Sequence, residues 1–276
     1  MNEEVKDIKP FLHALKEGSE YDFTNYSMNS LNRRIIKIMN DFRISFDDLV
    51  KGIKEDDKFR EEVVKKITVH TTDLFRDAEL WLHLGNKVIP YYARKKRISI
   101  WHPGCSTGQE VYSMMILLNE MNLLNKTDIY ASDLNPDVLE ISREGKYKFI
   151  FNKDYVSNFD AVINRDDKKR KVKHSKYFDI DRDKDIIVMK DFLRQKPVYK
   201  KMDLVTEDNP FKQNFDIIVC RNVIIYFNYD LQNKVFNLFY NNLNEKGCLV
   251  LGAHETIIGV YASYFLKEDK VYFKKN

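Results

Sequence analysis

Cysteine is scarce. The 276 residues contain three, Cys105, Cys220 and Cys248, and none stands in CxxC spacing. That excludes a disulfide framework and a thiolate zinc site, and no metal is expected. Long apolar runs are missing as well: no stretch approaches ~18 consecutive apolar residues, so no ordinary membrane-spanning helix is expected. The opening residues, Met1 to Asp7, lack the apolar segment that a secretory signal needs. Together these absences predict a reduced, intracellular, cytoplasmic protein without membrane insertion. Glycine is limited to nine residues, so any that fall close together carry information. Charge of one sign is also lacking, since the net charge of +4 is too small to imply a nucleic-acid partner.

What is present describes a globular chain. Hydrophobic residues make up 43% and charged residues 32%, a composition that folds and stays in solution. The length allows a sizeable core and about two domains. The positive excess is concentrated. Residues 146–201 hold 17 Lys/Arg and 9 Asp/Glu, a net of +8, including the run Lys168-Lys169-Arg170-Lys171. Such a segment is either a solvated loop or a docking surface for an acidic partner.

Residues 1–68 read as a small helical domain. Leu31, Ile35, Ile38, Met39 and Phe42 recur at helical spacing. Ser45 is placed to cap a helix near Phe46 to Ile53, and another is expected at about Phe59 to Lys66. After Arg97 the pattern changes to strands alternating with helices, which implies a mixed, mainly parallel α/β sheet. Ile98 to His102 reads as a strand, followed by the loop Pro103-Gly104-Cys105-Ser106-Thr107-Gly108 and a helix marked by Val111, Met114, Met115 and Leu118. Asp128 to Ser132 is a second strand ending at Asp133, with Asn135-Pro136 opening the next helix. Phe215 to Cys220 is a continuous apolar run suited to a buried parallel strand. A helix from Tyr229 to Leu243, closed by Gly247, leads to the strand Cys248 to Leu251. Ser263 to Lys274 suits a closing hairpin through Glu268-Asp269. Residues 146–201 break the rhythm: a short helix at Tyr155 to Ile163 precedes strand-like runs at Tyr177 to Ile180 and Ile186 to Met189. These place an inserted antiparallel β-subdomain at about 165–200, within a second domain spanning 69–276.

Two of the nine glycines, Gly104 and Gly108, lie in one strand-to-helix loop. Glycine there lets backbone approach a ligand closely. The spacing is neither GxGxxG nor a P-loop, so pyrophosphate binding is not indicated. Asp133, at the end of the following strand, is placed to accept both hydroxyls of a ribose. An adenosine-bearing cofactor without pyrophosphate makes S-adenosyl-L-methionine (SAM) the leading candidate, with an ordinary βα turn as the alternative.

Four segments carry a resemblance: Thr71-Thr72-Asp73-Leu74-Phe75-Arg76-Asp77, Gly104-Cys105-Ser106-Thr107-Gly108-Gln109-Glu110-Val111-Tyr112-Ser113, Ala131-Ser132-Asp133 and Cys220-Arg221-Asn222-Val223-Ile224-Ile225-Tyr226-Phe227. From about Tyr21 to Thr256 the chain resembles the chemotaxis receptor methyltransferase (CheR) family, which methylates receptor glutamates with SAM and releases S-adenosyl-L-homocysteine. The resemblance implies a Rossmann-like methyltransferase sheet with an N-terminal all-α domain and a small inserted β-subdomain. It implies that His70, Thr72 and Arg76 reach the cofactor from the linker. Gln109, with Glu110 behind it, would sit near the methionine part, next to Gly104. Asp133 would hold the ribose, Asp203 and Leu204 would flank the adenine, and Arg221 and Asn222 would lie beyond the next strand. Arg76 and Tyr226 would lie closest to the transferring methyl group as the catalytic pair. His70, Gln109 and Asp203 replace the family's more frequent Asn, Glu and Asn, each keeping a hydrogen-bonding group.

A glutamate carboxylate is ionised at pH 7 and needs no strong base to attack a sulfonium methyl. Alignment and exclusion of water are the tasks left to the enzyme. The implied partner is the cytoplasmic methylation helices of a chemoreceptor or related sensor, met by a monomer, and the basic face Arg33, Arg34 and Lys37 is either solvated or in contact with those acidic helices. Two other readings stand beside this one. A nucleic-acid methyltransferase would draw on the +8 segment, but no Asn-Pro-Pro-Tyr type motif or interleaved aromatic platform is present. A non-catalytic SAM-binding scaffold would have no use for both Arg76 and Tyr226. His83, His102 and His254 read as structural, and Cys105 lacks a base that would make it a nucleophile.

Overall fold

The chain is described by a computed structural model covering residues 7–68, 72–165 and 171–275. His70 and the run Lys168 to Arg170 lie outside the described residues. Four helices open the chain: α1 (Lys9–Gly18), α2 (Met28–Phe42), α3 (Phe46–Glu55) and α4 (Asp57–Ile67). Each boundary has a local cause. Ser45 and Asp48 form a reciprocal capping box at α3, and the Asp56 carboxylate accepts from Lys58 N and Phe59 N at α4. The apolar stripe of α2, Leu31, Ile35, Ile38 and Met39, is buried against Phe11, Leu15, Leu49, Ile53 and Val63 in a core of its own.

Next comes a helical stretch that the sequence reading leaves unassigned: α5 (Ala78–His83), a π turn at Leu84–Val88 and α6 (Ile89–Tyr92). Leu80, Trp81, Leu84, Val88, Ile89 and Tyr92 are all buried there, at helical spacing that Gly85 and Pro90 punctuate without breaking.

The second part alternates as expected: β1 (Ile98–Pro103), α7 (Gln109–Glu120), β2 (Thr127–Asp133), α8 (Pro136–Glu144), β3 (Lys146–Lys148), α9 (Tyr155–Ile163), β4 (Phe178–Asp181), β5 (Ile186–Met189), α10 (Asp191–Arg194), β6 (Val198–Lys201), β7 (Phe215–Cys220), α11 (Tyr229–Asn242), β8 (Leu243–Leu251), β9 (Phe265–Glu268) and β10 (Val271–Lys274). Seven strands form one sheet in the order β6-β2-β1-β7-β8-β10-β9. β6, β2, β1, β7 and β8 are parallel, while β10 pairs antiparallel with both β8 and β9. All six residues of β7 are buried, as a strand covered on both faces requires. The strand order reverses at β1 and β7, so the crevice beyond their carboxyl ends is where a ligand belongs.

Two boundaries differ from the sequence reading. α11 ends at Asn242, one residue before the expected Leu243, but Gly247 does not close it, because Leu243 already has extended backbone and begins β8. Gly247 lies inside that strand, where a Cβ would meet Asn244 O at 2.9 Å and Phe215 O at 3.1 Å. The small antiparallel sheet, in the order β3-β5-β4, also overruns the 165–200 window. Lys146–Lys148 supplies its first strand, while Val198–Lys201 belongs to the large sheet.

Several basic residues of the segment form ion pairs on the surface. Arg165 pairs with Glu79, Lys171 with Asp160, Lys176 with Glu120, Lys184 with Asp181 and Lys190 with Asp179. Among the described residues no helix is long and apolar enough to cross a membrane.

The helical domain is stitched to the sheet domain beside β7. Ser27 N donates to Tyr226 O at 2.7 Å, Asn228 N donates to Asn25 O at 2.8 Å, and Tyr26 and Phe227 form an antiparallel bridge. Lys65 of α4 pairs with Asp137 of α8 at 2.7 Å.

Candidate active site

A cleft opens where these two parts meet. Residues of both parts line it, from Tyr26 and Arg34 to Asp133 and Tyr226. Its floor is the loop after β1. Gly104 adopts φ +69 and Gly108 φ +91. A Cβ on Gly104 would lie 2.5 Å from Val223 Cγ2, and one on Gly108 would run into Ser142, so neither position has room for a side chain. Gly104 N and Cys105 N both donate to Ser132 O, at 2.8 and 3.0 Å, which ties the loop to the end of β2.

Asp133 closes that tie. Its Oδ2 accepts from Ser106 N at 2.8 Å and its Oδ1 from Asn135 N at 3.0 Å. Asp203 and Leu204, just past β6, line the same side together with Leu134 and Met202. Burial pushes the Asp203 carboxyl above its ordinary range, opposed by the hydrogen bond from Val205 N.

Glu110, in the first turn of α7, faces the cleft and is held in a charged chain. Its Oε2 accepts from Arg221 Nη1 at 2.9 Å, and its Oε1 lies 3.4 Å from His102 Nδ1. Arg221 also donates to Asp77 Oδ2 at 2.6 Å and to Arg76 O at 3.2 Å, with its guanidinium over the Trp81 ring at 5.8 Å. The Arg221 side chain is 2% exposed. Its first task is therefore to hold Glu110 and the Arg76 turn in place, at the edge of the cleft it lines.

Arg76 reaches the cleft from a strained turn. Phe75 and Asp77, on either side of it, hold φ of 52 and 61, a conformation that costs a non-glycine residue about 1–3 kcal/mol. Tertiary bonds fix the turn: Phe75 N donates to Ser113 Oγ at 2.7 Å, and Trp81 Nε1 donates to Arg76 O at 2.9 Å. Across the cleft, Asn222, Val223 and Tyr226 line the wall after β7.

The structure thus brings Thr72, Arg76, Gly104, Glu110, Asp133, Asp203, Leu204, Arg221, Asn222 and Tyr226 around one cleft. Gln109 is the exception. It is 4% exposed, does not line the cleft, and accepts from Thr107 Oγ1 at 2.7 Å. Neighbouring side chains on a helix diverge by about 100°, so only one of Gln109 and Glu110 faces the ligand, and it is Glu110. His70 lies outside the described residues. Cys105 lines the cleft with its thiol pushed up by burial and by the nearby Asp133 and Glu110, which keeps it protonated and inert.

Several lining residues escape a reading by motif. Tyr26, Ser30, Leu31 and Arg34 come from the helical domain. Burial raises the Tyr26 hydroxyl, as do the charges of Asp203 and Asp133, so it stays a neutral donor. Arg34 belongs to the basic face of α2, and of that trio it alone lines the cleft, while Arg33 and Lys37 are exposed. His102, read as structural, sits beside Glu110. His254 is exposed and lies outside the lining.

The groups present fit SAM. An acid lining the cleft ends β2, a fixed carboxylate at Glu110 suits a cationic amino group, and Leu134, Met202, Leu204 and Phe227 offer apolar surface for a base. Strand order, glycine loop and acid together define a SAM-dependent methyltransferase.

Comparison with known proteins places it more closely. Residues 70–270 match the family profile "CheR methyltransferase, SAM binding domain", and residues 6–68 match "CheR methyltransferase, all-alpha domain". The chain belongs to the CheR methyltransferase family. It is 32% identical to methyltransferase Cher3 of Pseudomonas putida over 97% of this chain and 96% of that one. It is 31% identical to the chemotaxis protein methyltransferase of Borreliella burgdorferi over 86% of each chain. Chemotaxis protein methyltransferase 1 of Vibrio cholerae is 30% identical over 94% of this chain and 91% of its own.

Proposed function

We infer that this protein esterifies glutamate side chains of a chemoreceptor, using SAM, and releases S-adenosyl-L-homocysteine. The observation that carries the reading is the convergence of Arg76, Glu110, Asp133 and Tyr226 on one interdomain cleft at the β1–β7 reversal. When bound, the cofactor supplies a methyl group activated on a sulfonium. The chain's own residues do the rest. Asp133 receives the ribose, and Asp203 and Leu204 border the adenine. Glu110, positioned by Arg221, meets the cationic amino group. Arg76 offers a planar fork to orient a carboxylate, and Tyr226 supplies a wall and a hydroxyl beside it. No residue has to remove a proton, because the attacking carboxylate is already ionised. Tyr26 and Phe227, in edge-to-face contact, line the cleft where the two domains meet.

This reading takes the helical unit as 1–68 and the catalytic unit as 69–276, acting as a monomer in the cytoplasm. Arg33 and Lys37 would face the acidic methylation helices. The test is methyl transfer from labelled SAM to a receptor cytoplasmic fragment. Label on the receptor that leaves as methanol in mild alkali is expected. Label that resists alkali, or that appears on nucleic acid instead, overturns the reading.

A further inference from the structure

Glu255 belongs to none of the motifs, yet it is the most heavily bonded carboxylate bordering the cleft wall. It is 3% exposed and sits in the turn that follows β8. Its Oε2 accepts from Gly252 N at 2.7 Å and from Asn222 N at 2.8 Å. Its Oε1 accepts from Val223 N at 3.0 Å and from Ile225 N at 3.3 Å. Among the described residues it forms no ion pair. Burial raises its carboxyl, and the four N–H bonds oppose that rise.

Three of the four donors, on Asn222, Val223 and Ile225, belong to one piece of backbone. Asn222 holds φ 59, a left-handed conformation that needs outside support. Val223 packs where a Gly104 side chain would be. The turn Ile224–Tyr226 then presents Tyr226, whose carbonyl receives Ser27 N from the helical domain. Gly252 is matched to this clamp, since a Cβ there would lie 2.7 Å from Glu255 Oε2.

We propose that Glu255 is a positioning residue for methyl transfer, its carboxylate holding the Asn222–Tyr226 turn so that Tyr226 stands correctly in the cleft. The proposal rests on the methyltransferase reading above and adds a residue that acts through another. An amide in its place offers one accepting oxygen and turns two donors toward backbone N–H groups.

The experiment uses the full chain, labelled SAM, a receptor cytoplasmic fragment, and S-adenosyl-L-homocysteine as the binding probe. Glu255→Gln is expected to lower kcat by about tenfold or more, while affinity for S-adenosyl-L-homocysteine moves by less than about threefold. In a Tyr226→Phe background the same change should cost less than about threefold further, because the two residues act as a unit. A kcat within about threefold of wild type, or an equal loss in both backgrounds, overturns the proposal. If Glu255→Gln does not fold, Gly252→Ala, which displaces the carboxylate and keeps its charge, is judged by the same criteria. A wild-type chain that transfers no methyl group counts against the function reading alone. The clamp is then read by amide exchange at Asn222, Val223 and Ile225, where unchanged protection in Glu255→Gln overturns it.

Discussion

The two walls of the cleft are built on different scales. On the cofactor side, Gly104, Ser106 and Glu110 stand within one loop and helix turn, and Asp133 is tied to them across adjacent parallel strands. On the opposite side, Tyr226 meets Ser27 and Arg221 meets Asp77, pairs separated by far more of the chain. The near wall is a local device, organised by backbone N–H groups around a glycine loop. The far wall is assembled by pairings between distant segments of the sheet domain, and the helical domain adds Ser27 and Tyr26 to it. Cofactor binding and substrate alignment are therefore separable in this molecule, and mutations should sort accordingly.

The largest effect is expected on the far side. Arg76→Ala should lower kcat/KM about 300-fold, with S-adenosyl-L-homocysteine affinity falling much less, if Arg76 orients the substrate carboxylate. Equal losses in both would move Arg76 to the cofactor wall. Next comes Asp133→Ala, which should weaken binding about 100-fold by titration calorimetry, since it removes the ribose acceptor and frees Ser106 N and Asn135 N.

A sharper test lies within the near wall. Glu110→Ala should weaken cofactor binding about 30-fold, and Gln109→Ala less than about threefold, because only Glu110 faces the cleft. Reversal of that order would return Gln109 to the site.

The smallest effect concerns Asp203. Its carboxyl is raised by burial in the folded chain, so folding disfavours its charged form, and stability falls as pH rises from the unfolded value of about 3.9 through the folded one. Asp203→Asn keeps an acceptor for Val205 N and removes that charge. Its thermal midpoint should exceed wild type at pH 7 and converge with it below about pH 3.9. A lower midpoint at pH 7 would show that the ionised form is stabilised in the cleft.

Much of the near wall was legible because its signals are short-range. β1, the glycine loop, α7 and Asp133 follow from apolar periodicity, two glycines and an acid at a strand end. The Ser45 cap and the closing hairpin were readable for the same reason. Gln109 against Glu110 was not, since the choice depends on how α7 is rotated against the sheet. Gly247 was wrongly read as the close of α11 because nothing local announces that Leu243 will pair with Phe215 in β8. The helices across Ala78 to Tyr92 were left unassigned, although Leu80, Leu84, Val88 and Tyr92 recur there every four residues.

By itself the sequence determined the α/β class, the helical head, the glycine loop and the acid that follows it. These depend on backbone preferences and on apolar spacing within a few residues, which any chain carries locally. Only the tertiary structure decided that Glu110 rather than Gln109 faces the cleft, that Arg221 holds Glu110 and Asp77 together, that Tyr26 and Arg34 enter the cleft, and that Glu255 gathers four N–H groups. Those are long-range pairings. Their partners become neighbours only when strand order and domain docking have brought distant segments to the same crevice.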